Sequence, residues 1–128
     1  CKMASRSSCV SLLSPTMPLI NVRTNISAVQ EAGALLKKLS SALAVATGKP
    51  ESYVMTLLES GVSMTFAGNE EPCAYVDIKS IVSLTPPAMT DQFCELIKVS
   101  LGIEKDRIYI AFDDVNASDW GWNGRTFG

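Results

Sequence analysis

The 128-residue chain contains no histidine. The commonest general base near neutral pH and the commonest zinc ligand are therefore both missing. Cysteine is sparse, at Cys1, Cys9, Cys73 and Cys94, and no Cys-x-x-Cys pair occurs. That excludes a zinc ribbon and a thioredoxin-type redox motif. Buried or incidental free thiols in a reducing compartment are the plain reading. No apolar run approaches the ~20 residues of a membrane span. Positive charge is not in excess either: 11 Lys and Arg stand against 13 Asp and Glu, for a net charge of −2. No basic stripe suggests nucleic acid. Thr47-Gly48-Lys49-Pro50 lacks the full phosphate-loop pattern. Neither a metal nor a cofactor is expected.

What is present is a globular composition, 47% hydrophobic and 19% charged, of a length for one domain. The stretch Met17-Pro18-Leu19-Ile20-Asn21-Val22-Arg23-Thr24-Asn25 organises the rest. It reads as a strand running into a turn former, with proline allowed at its first position. Met17-Pro18 is also a possible translation start. Removal of the methionine would leave Pro18 with a free secondary amine, whereas inside the chain its nitrogen is a non-basic amide.

Residues 1–16 differ from the rest. They hold five serines, Lys2 and Arg6, and no acid. Val10, Leu12 and Leu13 are too short a cluster for a signal-peptide core. The segment reads either as the end of a transit peptide or as sequence upstream of a true start at Met17, with Met3 a third possible start. A first residue of Cys1 rather than Met fits an incomplete or mis-framed N-terminus. In each case poor order is expected. A cytoplasmic protein is expected; organelle targeting, or secretion without a standard signal peptide, is the alternative.

From Pro18 onward the periodicity alternates. Ala32, Leu35, Leu36, Leu39, Leu43 and Ala46 recur at helical spacing and predict a helix from about Val29 to Thr47. Ser27 or a neighbour would cap its start; Gly48 and Pro50 would end it. Tyr53–Leu58 reads as a strand, Gly61–Gly68 as a loop, and Cys73–Val82 as a second long strand. Thr85-Pro86-Pro87 predicts a helix start, with Thr85 as N-cap and Pro86 at the first position. Met89, Phe93, Leu96 and Ile97 give its apolar face, and Gly102 its end. Ile108–Phe112 is a strand, followed by a tail with Trp120, Trp122 and Phe127. Two weakly similar βαβ halves result. Right-handed crossovers would put both helices on one face of a four-stranded sheet, an α/β (α+β) architecture. The strands Tyr53–Leu58 and Ile108–Phe112 are apolar on both sides, so the other face is expected to meet another subunit. Asp113-Asp114 and Glu70-Glu71 read as solvated turns, and Lys49 alone as a surface lysine.

Several segments together carry a resemblance. They are Met17-Pro18 with Asn25, Ala46-Thr47-Gly48-Lys49-Pro50 with Tyr53, and Met64-Thr65-Phe66-Ala67-Gly68. Glu71-Pro72-Cys73-Ala74, Ser80-Ile81, Asp106-Arg107-Ile108-Tyr109-Ile110, and Gly121-Trp122-Asn123 with Thr126-Phe127 follow in register. The chain resembles the macrophage migration inhibitory factor family of the tautomerase superfamily over Met17 to Phe127. The resemblance implies a 17–128 domain behind a 1–16 extension, and a homotrimer. It implies a keto–enol tautomerase, an isomerase acting on phenylpyruvate- or dopachrome-type substrates. Pro18, as the N-terminal amine, would be the general base. Lys49 would hold a substrate carboxylate, and the backbone N–H of Ile81 would make a second contact to it. Tyr53, Trp122 and Phe127 would form an aromatic rim, and Tyr109 would come from a neighbouring subunit. A non-catalytic, cytokine-like interaction protein of the same fold is the alternative. Three departures stand out. Ala111 replaces an asparagine of the best-known animal members, so one polar contact is missing. Cys73 lacks its Cys-x-x-Cys partner, with Val76 in that place. Residues 1–16 would block the amine if retained.

Overall fold

A computed structural model describes residues 18–81 and 84–127. The 1–16 extension, Met17 and Val82 at the expected strand end lie outside the described residues. β1 (Leu19–Thr24) is followed by α1 (Ala32–Thr47), β2 (Met55–Glu59), β3 (Ala74–Ser80), α2 (Pro86–Leu101) and β4 (Ile108–Asp114). A short hairpin, β5 (Gly121–Trp122) and β6 (Arg125–Thr126), ends the order. The main sheet runs β2-β1-β3-β4, with β1 and β3 antiparallel at the centre and one parallel strand outside each. Each parallel neighbour is reached through a helix, as the two βαβ halves require.

Alternation decides which face is buried. Ile20 pairs with Ile78, Val22 with Val76 and Thr24 with Ala74, all buried. Against them pack Leu35, Leu39 and Leu43 of α1 at four-residue spacing, and Met89, Phe93 and Ile97 of α2 at the same spacing. Thr24 is the polar member of this face: its hydroxyl donates to the Cys73 carbonyl at 2.9 Å and accepts the Ile26 N–H at 3.2 Å. Buried polar groups need such partners.

The opposite face bears Leu19, Asn21 and Arg23 beside Met55, Leu57 and Glu59 on one flank. Tyr75, Asp77 and Lys79 lie beside Tyr109, Ala111 and Asp113 on the other. No described helix covers it. Met55 is 58% exposed and Tyr109 65%. Asn21 and Arg23 both donate to the Glu59 carboxylate, at 2.9 and 3.0 Å. Those two hydrogen bonds, that from Asn21 first, hold the Glu59 carboxyl below the usual glutamate range.

Both helices stop where glycine permits it. Gly48 and Gly102 sit at φ 70° and 73°, a left-handed conformation that costs other residues a Cβ clash. At the first, the Gly48 N–H donates to Val45 and the Lys49 N–H to Ala44. Helix starts are less regular. Ala32, not Val29, begins α1, and Glu31 occupies the cap position at φ 57° with no side-chain hydrogen bond. Thr85 does cap α2 with Pro86 behind it, but its hydroxyl makes no capping bond. Tyr53 closes a 3₁₀ turn, Glu51–Tyr53, rather than opening β2.

Candidate functional site

Pro18 stands directly before β1 and is almost fully buried. Its carbonyl accepts the Met55 N–H at 3.1 Å. Pro18 also lines a cavity of about 310 Å³, together with Leu19, Tyr53, Met55, Trp120 and Trp122 among others. The size suits a small organic molecule.

The cavity rim is aromatic. The Tyr53 and Trp122 rings meet edge to face at 5.9 Å, and Phe127 stacks on Trp122 at 6.1 Å, nearly parallel. Two short elements hold this arrangement. The Glu51–Tyr53 turn places Tyr53, and the β5–β6 hairpin reverses at Asn123-Gly124, both at positive φ, so that Trp122 and Phe127 return side by side. The Phe127 N–H donates to the Ala117 and Trp120 carbonyls, both at 3.1 Å, and pins the tail.

Of the residues expected at the site, Pro18, Tyr53 and Trp122 line this cavity, and Phe127 backs Trp122. Lys49 does not line it. It follows the α1 cap, two residues before the turn that carries Tyr53, and makes no side-chain hydrogen bond or ion pair among the described residues. Ile81 is buried directly after β3 and lies outside the lining. Tyr109 is remote. It is aligned with Tyr75 and so with Arg23, five residues along β1 from Pro18 and two strands across. That separation is roughly 20 Å within one chain. Tyr109 instead packs edge to face on Phe66 at 4.9 Å. Trp120, Met55, Leu19 and Ser52 were not expected in the lining. For Trp120 a signal existed: it lies two positions before Trp122, so an extended tail puts both on one side. No group of residues among those described could hold a metal ion, and no described helix is long and apolar enough to cross a membrane.

The family profile described as macrophage migration inhibitory factor (MIF) matches residues 17–128. The chain belongs to the macrophage migration inhibitory factor family. This MIF-family chain is 41% identical over 115 residues to the macrophage migration inhibitory factor homolog of Brugia malayi, covering 88% of this chain and 100% of that one. To the macrophage migration inhibitory factor of Xenopus laevis it is 35% identical over 114 residues, covering 87% and 99%. Among solved structures, the MIF homologue of Prochlorococcus marinus is similar at a TM-score of 0.83 and 52% identity, covering 86% of this chain and 99% of that one. The MIF of Trichinella spiralis gives 0.81 at 31% identity, with 85% and 99% covered. The two-helix, four-stranded MIF fold expected from the sequence is the fold of this chain.

Proposed function

We propose that this chain is a keto–enol tautomerase whose general base is the amine of Pro18, freed when the 1–16 extension and Met17 are removed. The 17–128 segment, less Met17, is then the working domain. The observation that carries the reading is Pro18 itself: a buried proline, set at the start of β1, opening on an aromatic-rimmed cavity. A buried proline needs no such cavity for folding. A neutral secondary amine there takes a proton from the carbon next to a substrate carbonyl, the C–H electron pair becomes the new C=C bond, and the ammonium so formed returns the proton, directly or through water, to the carbonyl oxygen. The aromatic and aliphatic lining disfavours the ammonium form and keeps the amine available near neutral pH. Tyr53, Trp122 and Phe127 suit a flat aromatic substituent, so phenylpyruvate- and dopachrome-type acids are the substrate class. The assay is direct: the chain beginning at Pro18 is offered phenylpyruvate, and lack of turnover overturns the reading.

Lys49 and the Ile81 N–H hold the substrate carboxylate in this scheme. Lys49 has no competing ion pair among the described residues, which leaves its ammonium free for a substrate. Lys49→Ala is expected to raise KM for phenylpyruvate about 10-fold and to lower kcat less, because a grip on an unreacting carboxylate is ground-state binding. An unchanged KM would make Lys49 an ordinary surface lysine.

The assembly we propose is a homotrimer. The bare sheet face with Met55, Leu57 and Tyr109 exposed supports it, as does the distance of Tyr109 from Pro18. A tyrosine so remote in its own chain can reach a Pro18 cavity in a neighbouring copy. Sedimentation at micromolar concentration is expected to give about three times the subunit mass; a stable monomer would remove Tyr109 from the site.

A further inference from the structure

Two spaces meet at one side chain. The Pro18 cavity and a groove of about 650 Å³ on the bare sheet face share three lining residues, Leu19, Trp120 and Gly121. Gly121 has no side chain, and Leu19 is fixed in β1. The largest of the three residues at the boundary is Trp120. Its backbone is extended and clamped: its N–H donates to the Ala117 carbonyl at 3.4 Å, and its carbonyl accepts the Phe127 N–H at 3.1 Å. The two spaces differ in chemistry. The Pro18 side is aromatic and aliphatic, whereas the groove is lined by Arg23, Asp77, Lys79, Asp113 and Asp119.

We propose that Trp120 is a specificity-determining residue. Its indole forms the wall that ends the Pro18 cavity, and so limits substrates to keto acids whose side chain ends in a single aromatic ring. This rests on the tautomerase reading of the site. A second ring attached to the first has to displace the indole, and the clamped Trp120 backbone resists that; in the proposed trimer the sheet face beyond it belongs to subunit contacts and gives no relief. Shrinking the indole removes the obstacle by freeing its own volume for the second ring, which then need not reach the charged residues. Leu19 alone is too small to restore it.

The test uses the chain beginning at Pro18 and two pairs of ligands. Phenylpyruvate and 4-biphenylpyruvate report turnover. The unreactive 3-phenylpropionate and 3-(4-biphenyl)propionate report binding by calorimetry. The parent is expected to favour the single ring by at least ~10-fold in both measures, and Trp120→Val to shrink that preference by ~10-fold or more. Trp120→Phe, which keeps a ring in the wall, should retain most of it. Trp120→Leu is read in the same way should the valine variant not fold. A preference unchanged within about two-fold in a folded valine or leucine variant overturns the proposal, as does a parent that binds both acids equally or neither. A parent that binds with the expected preference but turns over neither keto acid leaves the wall standing and overturns the tautomerase reading. Turnover with an unchanged preference does the reverse.

Discussion

A chain that begins at Pro18 is expected to tautomerise phenylpyruvate, and one that retains residues 1–17 is not, with a difference on the order of 10²–10⁴-fold, the usual worth of a positioned general base. The cause is local. An amide nitrogen has no basic lone pair, so the longer chain lacks a base at the cavity whatever else it retains. The fold is not expected to change. β1 is held by its pairing with β2 and β3, and the link nearest the cut, from the Met55 N–H to the Pro18 carbonyl, needs nothing upstream of Pro18. Circular dichroism of the two forms is therefore expected to overlay. Activity of the short form should rise with pH through one apparent pKa, because the ammonium must lose its proton before it can accept another. That pKa should fall below the value for an exposed amine, since burial disfavours the charged form. Pro18→Gly keeps an amine but loses the ring that aims it, so reduced activity is expected. Equal activity of the long and short chains would falsify the amine mechanism and favour the interaction-protein reading.

The second large effect concerns stability. Phe93 lies midway along the buried stripe of α2, between Met89 and Ile97, and is fully buried in the core cluster of both helices and the sheet. Phe93→Ala removes a large apolar group and leaves a cavity that close-packed neighbours refill poorly. A loss of about 3–5 kcal/mol per subunit is expected, a large share of the ~5–15 kcal/mol that a domain of this kind possesses. Urea titration at fixed protein concentration should show a lower midpoint with little change in slope. A loss below about 1 kcal/mol would mean that α2 does not bury this face.

Elements governed by local chemistry were legible in the sequence. Gly48 and Gly102 end helices as expected, Thr85-Pro86 begins one, and β3 falls within the strand expected over Cys73–Val82. The start of α1 was misplaced by three residues because its cap is Glu31, held left-handed without a side-chain bond. Nothing in the glutamate signals that. Tyr53 belongs to a turn because Pro50 precedes a single 3₁₀ loop, and an apolar tyrosine looks the same in either setting. Pro18, Tyr53 and Trp122, which line the cavity, are expected there from family resemblance; Trp120, which also lines it, is not. Its place in the wall depends on how the hairpin folds back, which is a tertiary fact. Lys49, Ile81 and Tyr109 fall outside the cavity lining of one chain, and sequence order cannot say which chain completes a pocket.

The strand order has a consequence for how copies can join. β2 and β4, at opposite flanks, are unlike strands, and each leaves one row of backbone donors and acceptors without a strand partner among the described residues. Two copies joined left flank to right flank still expose one flank of each kind. A third and a fourth copy change nothing, unless the series bends enough to meet its own beginning. Joining through these flanks therefore has two geometric outcomes, a closed ring or an open-ended fibre. The turn per subunit decides between them. For a chain with this sheet, the angle between neighbours governs solubility as well as symmetry.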